Sequence, residues 1–155
     1  MTIWDQGRGT IERMLDSNEL QKVPASEEHA ARLLNEARAH LESSVVTRQN
    51  DPEGAYAASY AGARKALESL LAIQGLRRTT RGGHIAVYEA TMAQFDPPMG
   101  GTIRPFDRMR RRRGEAEYPE IGTPSISQEE LVEDGTRCSA IIDMAITLVP
   151  KLPLF

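Results

Sequence analysis

Scarcity narrows what this chain can be. It has a single cysteine, Cys138, so no intrachain disulfide framework and no cysteine-type metal cluster can form. The lone thiol is expected to be reduced and the protein cytoplasmic. Aromatic residues make up only 5% of the chain, while alanine is abundant, a balance that suits closely packed helices. No apolar run approaches the roughly 20 residues of a membrane span. The first residues, Met1-Thr-Ile-Trp-Asp-Gln-Gly-Arg-Gly9, lack the basic-then-apolar form of a signal peptide. The histidines are His29, His40 and His84, so imidazole chemistry has few places to occur. No metal site and no cofactor are expected.

What is present fits one domain, residues 1–155. The 155 residues are 40% hydrophobic and 26% charged, with a formal net charge of −3, ordinary values for a soluble globular chain. Trp4 is expected to anchor an ordered lead-in. Thr10 can cap a short helix to about Leu20, and Pro24 ends that segment. Ser26, Glu27 and Glu28 favour the start of a second helix, with Ala30, Leu33, Leu34, Ala37, Leu41 and Val45 as its apolar stripe. Asn50-Asp-Pro52 breaks it. A third helix runs from about Glu53 to Ile73, with Tyr56, Tyr60, Ala63, Leu67, Leu70 and Leu71 inward and Gly75 as its stop.

Leu76 to Gly83 reads as a basic, glycine-tipped loop. His84 opens a fourth helix with Ile85, Tyr88, Met92 and Phe95 repeating at three and four. A fifth starts near Thr102, burying Ile103, Phe106 and Met109, and closes by Pro119. Ser127 with Glu130 forms a capping box for the last helix, whose inner face includes Leu131, Cys138, Ile141, Ile142, Ala145 and Leu148. Strands are not expected. The pattern predicts an all-α fold of five main helices, most simply buried as an antiparallel bundle.

The fifth helix holds the strongest chemical signal. Arg104, Arg108, Arg110, Arg111, Arg112 and Arg113 fall within ten residues of a chain that is acidic overall. Such local density suggests a phosphate or other anion site. A second explanation is a solvated face that forms salt bridges, because residues 115–155 are strongly acidic. Arg111 and Tyr118 lie seven residues apart and so fall on one helical line.

Three segments resemble the HEPN domain family, chiefly over residues 50–120. Tyr60-Ala-Gly-Ala-Arg-Lys-Ala-Leu-Glu-Ser-Leu-Leu71 resembles its Ala-rich second main helix. Thr80-Arg-Gly-Gly-His84 resembles the link that opens its third. Arg111 to Tyr118 resembles its Arg-x4-6-His motif in the extended form Arg-x4-His-x-Tyr. Gln74-Gly-Leu-Arg77, Arg81-Gly-Gly-His84 and Arg108-Met-Arg-Arg-Arg-Arg113 together resemble an actinobacterial subgroup.

The resemblance implies an up-and-down bundle of four main helices with a short extra helix, usually a homodimer. Many members are metal-independent endoribonucleases. Others bind RNA or partner a small nucleotidyltransferase. The implied catalytic positions here are Arg111 and Tyr118, and the phosphate-binding positions are Arg108, Arg110, Arg112, Arg113 and His84.

The motif departs from the family at its histidine, since Ala116 occupies that position. Without imidazole there, proton transfer near neutral pH loses its best carrier. The expected function is therefore RNA or phosphate-ligand binding, as a homodimer, with weak or no catalysis. Two other readings stand beside it: an endoribonuclease of toxin or defence type, and an adaptor whose arginines dock an acidic partner protein.

Overall fold

The computed structural model describes residues 4–155. Met1 to Ile3, the start of the expected lead-in, lie outside the described residues. In chain order the elements are α1 (Arg8–Asp16), β1 (Leu20–Lys22), α2 (Glu27–Thr47), α3 (Pro52–Ile73), β2 (Leu76–Arg78), α4 (Gly83–Phe95), α5 (Gly100–Ile103), α6 (Pro105–Glu117) and α7 (Gln128–Leu148), followed by a 3-10 turn at Val149–Lys151. The chain is mostly helical. No helix among the described residues is long and apolar enough to cross a membrane.

α3 is the hub. It packs against α2, α4, α6 and α7, so it is apolar nearly all round, with Tyr56, Tyr60, Leu67 and Leu70 at 2% exposure or less. The Asp51 carboxylate accepts from the Gly54 N–H at 3.0 Å, and Pro52 occupies the first turn, where no N–H is needed. α2 lies against α3 as a helical hairpin. They approach closely at Gly62, where a Cβ would sit 2.9 Å from the Ala37 carbonyl oxygen. α2 and α7 begin as their sequences indicate: the Ser26 and Ser127 hydroxyls accept from the N–H groups of His29 (3.0 Å) and Glu130 (3.1 Å). Trp4 tilts against Phe95 with ring centroids 5.4 Å apart, and its backbone N–H donates to the Leu154 carbonyl.

Several expectations are corrected. Two short strands exist: β1 pairs antiparallel with β2, Leu20 opposite Arg78 and Lys22 opposite Leu76. Three residues each are too few to show an alternating pattern. α1 begins at Arg8 behind Gly7, rather than at a Thr10 cap, and stops at Asp16. The fourth helix buries Ala86, Val87, Ala90, Thr91 and Gln94 along with Phe95. Ile85, Tyr88 and Met92 stay at its margin, because close packing against α1 and α3 selects the small side chains. Val45 is exposed and Ser44 is inward, its hydroxyl 2.6 Å from that of Ser59. The expected fifth helix is divided into α5 and α6 at Arg104–Pro105, since proline lacks the N–H that would continue the ladder.

Gly62 in α3 and Gly135 in α7 should respond oppositely to alanine. At Gly62 the new methyl meets backbone that cannot swing aside; Gly62→Ala is expected to cost about 1–3 kcal/mol and lower Tm. Nothing lies within 4 Å of a Cβ at Gly135, so Gly135→Ala should gain about 0.4–1 kcal/mol. Thermal and urea unfolding of both variants measure the contrast.

Candidate anion-binding site on the arginine helix

α6 is fixed by a narrow apolar stripe. Phe106 is fully buried and Met109 is 1% exposed. The Phe106 ring stacks on Tyr60 at 5.1 Å and on Tyr88 at 6.4 Å, and Met109 Sδ sits 3.7 Å from Cys138 Sγ. Cys138 is inside the core, where burial pushes its thiol up to about 12. Five of the other residues of α6 are arginines, and each guanidinium meets a carboxylate.

Arg108 grips Asp134 with two hydrogen bonds, Nη2 to Oδ1 at 2.5 Å and Nη1 to Oδ2 at 3.2 Å. Asp134 is itself buried. The Tyr56 hydroxyl donates to it at 2.7 Å and Arg137 Nη1 at 2.8 Å. Burial raises the Asp134 pKa, but the hydrogen bonds from Arg108, Tyr56 and Arg137 outweigh it, and the net shift is downward. The Tyr56 hydroxyl is pushed upward by burial and then by the adjacent carboxylate, so it stays protonated and donates to Asp134.

Arg110 and Arg111 share Asp107, at 2.8 and 3.4 Å. Arg112 is a clamp: Nε lies 2.7 Å from Glu130, Nη2 donates to the Pro124 carbonyl at 3.0 Å, and Nη1 reaches Glu115 at 3.4 Å. Its side chain is only 13% exposed, against 63% for Arg111. Arg113 pairs with Glu117 at 2.8 Å, and its guanidinium carbon is 5.9 Å from the centre of the Tyr60 ring. Arg104 reaches Asp96 at 3.5 Å.

These residues form two groups in space. Arg104, Arg108 and Arg111, joined by Arg137 from α7, line an open depression of about 490 Å³ with Tyr88 on its wall. Asp107 is the carboxylate among its lining residues. Arg113 instead meets His84 at Tyr60. His84 Nδ1 is 2.8 Å from the Tyr60 hydroxyl, so its partner is a side chain of α3 rather than the backbone of the preceding loop. Burial, followed by the fields of Arg64 and Arg78, lowers the His84 pKa to about 4. The imidazole is therefore neutral at physiological pH. Burial also pushes Tyr60 up to about 12.

Arg111 and Tyr118 are not brought to one cavity. Tyr118 caps the far end of α6 with its side chain 75% exposed, outside the depression that Arg111 lines. Ala116, at the position where the family motif has histidine, packs against the apolar core. Among the described residues, no group of three or more His, Cys, Asp or Glu side chains is placed to hold a metal ion.

Compared with known proteins, the chain matches no family model, no curated protein and no solved structure.

Sequence reasoning missed Asp134, Tyr56, Arg137 and Tyr88. Arg137 and Asp134 are one turn apart on α7, a visible pair. Nothing in the linear pattern says that this pair faces Arg108, 26 residues earlier. Asp134→Asn is expected to cost about 1–3 kcal/mol at neutral pH, because it weakens two guanidinium contacts and the Tyr56 bond. The folded pKa of Asp134 lies below its unfolded value near 3.9. Its stabilisation is therefore complete above about pH 5 and disappears as pH falls through the folded value. Denaturant titrations of both proteins at several pH values should show the gap between them closing in acid.

Proposed function

We propose that this chain is a HEPN-like helical domain that binds single-stranded RNA by its phosphates at the α6 depression, with weak or no catalysis. One observation carries this: Arg104, Arg108, Arg111 and Arg137, each 45–63% exposed, converge on one cavity in a chain with net charge −3. Guanidinium groups match phosphate oxygens in geometry and charge. Tyr88 lines the same cavity and gives it an aromatic wall for contact with a base.

Two features support the expectation of little catalysis. The motif position holds Ala116, turned to the core. His84 is held neutral with Nδ1 engaged by Tyr60, so at pH 7 it is a poor proton donor to a leaving group. A homodimer is part of the proposal. Val45, Val46 and Val132 are exposed on the end of α2 and the start of α7, which Gln128 Nε2 ties together by donating to the Arg48 carbonyl. Light scattering is expected at twice the 17.2 kDa chain mass, and Val46→Glu with Val132→Glu should return the monomer.

The central test is fluorescence anisotropy with a labelled single-stranded RNA over a range of salt. Arg104→Gln with Arg111→Gln should weaken binding and flatten the log–log salt slope by about 0.7 for each phosphate that is no longer neutralised. Unchanged binding in that variant removes the site. Binding of poly-glutamate but not RNA would favour docking of an acidic protein. Cleavage of the RNA in EDTA, abolished by His84→Ala, would make the protein an endoribonuclease with its imidazole supplied from α4.

A further inference from the structure

A second cavity lies against the end of α3, between the β1–β2 ribbon and the start of α2. It is a groove of about 1120 Å³, slightly above the usual range of small-molecule sites. Its floor is apolar and comes from Val23, Leu33, Leu71, Ala72 and Leu76. Its rim is the basic segment after α3, with Arg77, Arg78 and Arg81 flanking the hydroxyls of Thr79 and Thr80.

The charge of this rim differs from that of α6. Glu68 is the carboxylate lining the groove, and it is already shared by Arg64 and Arg78, each at 3.0 Å. Among the described residues, Arg77 and Arg81 pair with no carboxylate. Arg77 is held by a neutral group: with its amide oxygen turned inward, Gln21 accepts from Arg77 Nε at 2.9 Å and Nη2 at 2.7 Å. Every arginine of α6 meets a carboxylate of the chain, although Arg110 and Arg111 share one, whereas Arg77 and Arg81 at this groove meet none among the described residues.

The rim is also built rigidly. The Thr79 hydroxyl donates to the Asn18 carbonyl and accepts from the Gly82 N–H at 3.1 Å. The Thr79 N–H donates to the Glu19 carbonyl at 3.1 Å. Gly82 presses so closely on Glu19 that a Cβ would collide with its carbonyl oxygen. Glycine at 82 therefore lets the loop seat directly on the turn before β1. A loop fixed in this way adds no backbone ordering cost on binding.

We propose that this groove binds a small organic phosphate, with the phosphate held by Arg77 and Arg81 and an apolar or aromatic body laid on the Leu33–Leu71–Leu76 floor. Two unpaired guanidinium groups balance a phosphate monoester dianion. The adjacent Thr80 hydroxyl, exposed at the rim, can donate to a phosphate oxygen. The apolar floor would be superfluous for inorganic phosphate alone. The site is separate from the α6 depression, and its test stands whether or not RNA binds there.

The test is isothermal titration calorimetry of the full chain with 1-naphthyl phosphate and with AMP, which distinguish a hydrocarbon body from a nucleobase. Inorganic phosphate and 1-naphthol serve as the two halves of the first probe. One of the two esters is expected to bind saturably and about tenfold or more tighter than inorganic phosphate. Arg77→Gln with Arg81→Gln should weaken that ester about tenfold or more with Tm unchanged, whereas Arg104→Gln with Arg111→Gln should leave it as it was. Saturable binding of neither ester overturns the proposal. So does equal affinity for inorganic phosphate, or full affinity in the Arg77 and Arg81 variant.

Discussion

The buried carboxylate of Asp134 joins the three helices on which the arginine face depends. It takes a hydroxyl from α3, a guanidinium from α6 and another from its own helix α7. A buried carboxylate is tolerated only when its oxygens are well supplied with donors, and this one has three donor groups. The arrangement also answers a problem that α6 creates for itself. Like charges at helical spacing repel by a few tenths of a kcal/mol per pair, and only Phe106 and Met109 are fully inward. Asp107, Glu115 and Glu117 from α6, with Glu130 and Asp134 from α7, supply the counter-charge. α6 is thus held by charge pairing as well as by burial.

The parts of the fold legible in the sequence are those fixed locally. Ser26, Asp51 and Ser127 cap helices through bonds that span three residues, and such bonds are written in the spacing. α3 is legible for the same reason, since Tyr56, Tyr60, Ala63, Leu67, Leu70 and Leu71 recur at helical spacing. What cannot be read depends on a neighbour. The β1–β2 ribbon exists because the turn before β1 and the loop after β2 lock together at Thr79 and Gly82, and neither strand is long enough to declare itself. In α4 the spacing of the large residues points to them as the inner face. The tight seat against α1 and α3 instead places the alanines inward and leaves Tyr88 at the margin, where it lines the depression.

The candidate site shows the same division. The arginine run is obvious, but the difference between its members is not. Arg111 and Arg112 are adjacent and chemically identical, yet one stands in solvent and the other is closed in by Glu130, Glu115 and the Pro124 carbonyl. That difference arises from where α7 and the preceding linker pass. Likewise, Arg137 belongs to the cavity because α7 delivers it there.

Pairing does not remove α6 from consideration as an anion site, but it ranks the arginines. An exposed ion pair contributes about 0–1 kcal/mol, so a phosphate can displace Asp96 from Arg104, or Asp107 from Arg111, at small cost. The grip of Arg108 on buried Asp134 is different, because releasing it would strand a carboxylate away from water. Arg108 and Arg137 can therefore add field and any remaining N–H donors to a phosphate without leaving Asp134. Arg104 and Arg111 are the side chains free to move to it. The ligand that suits this arrangement spreads its charge over more than one phosphate, since two mobile guanidinium groups serve the depression alongside two that stay fixed on Asp134.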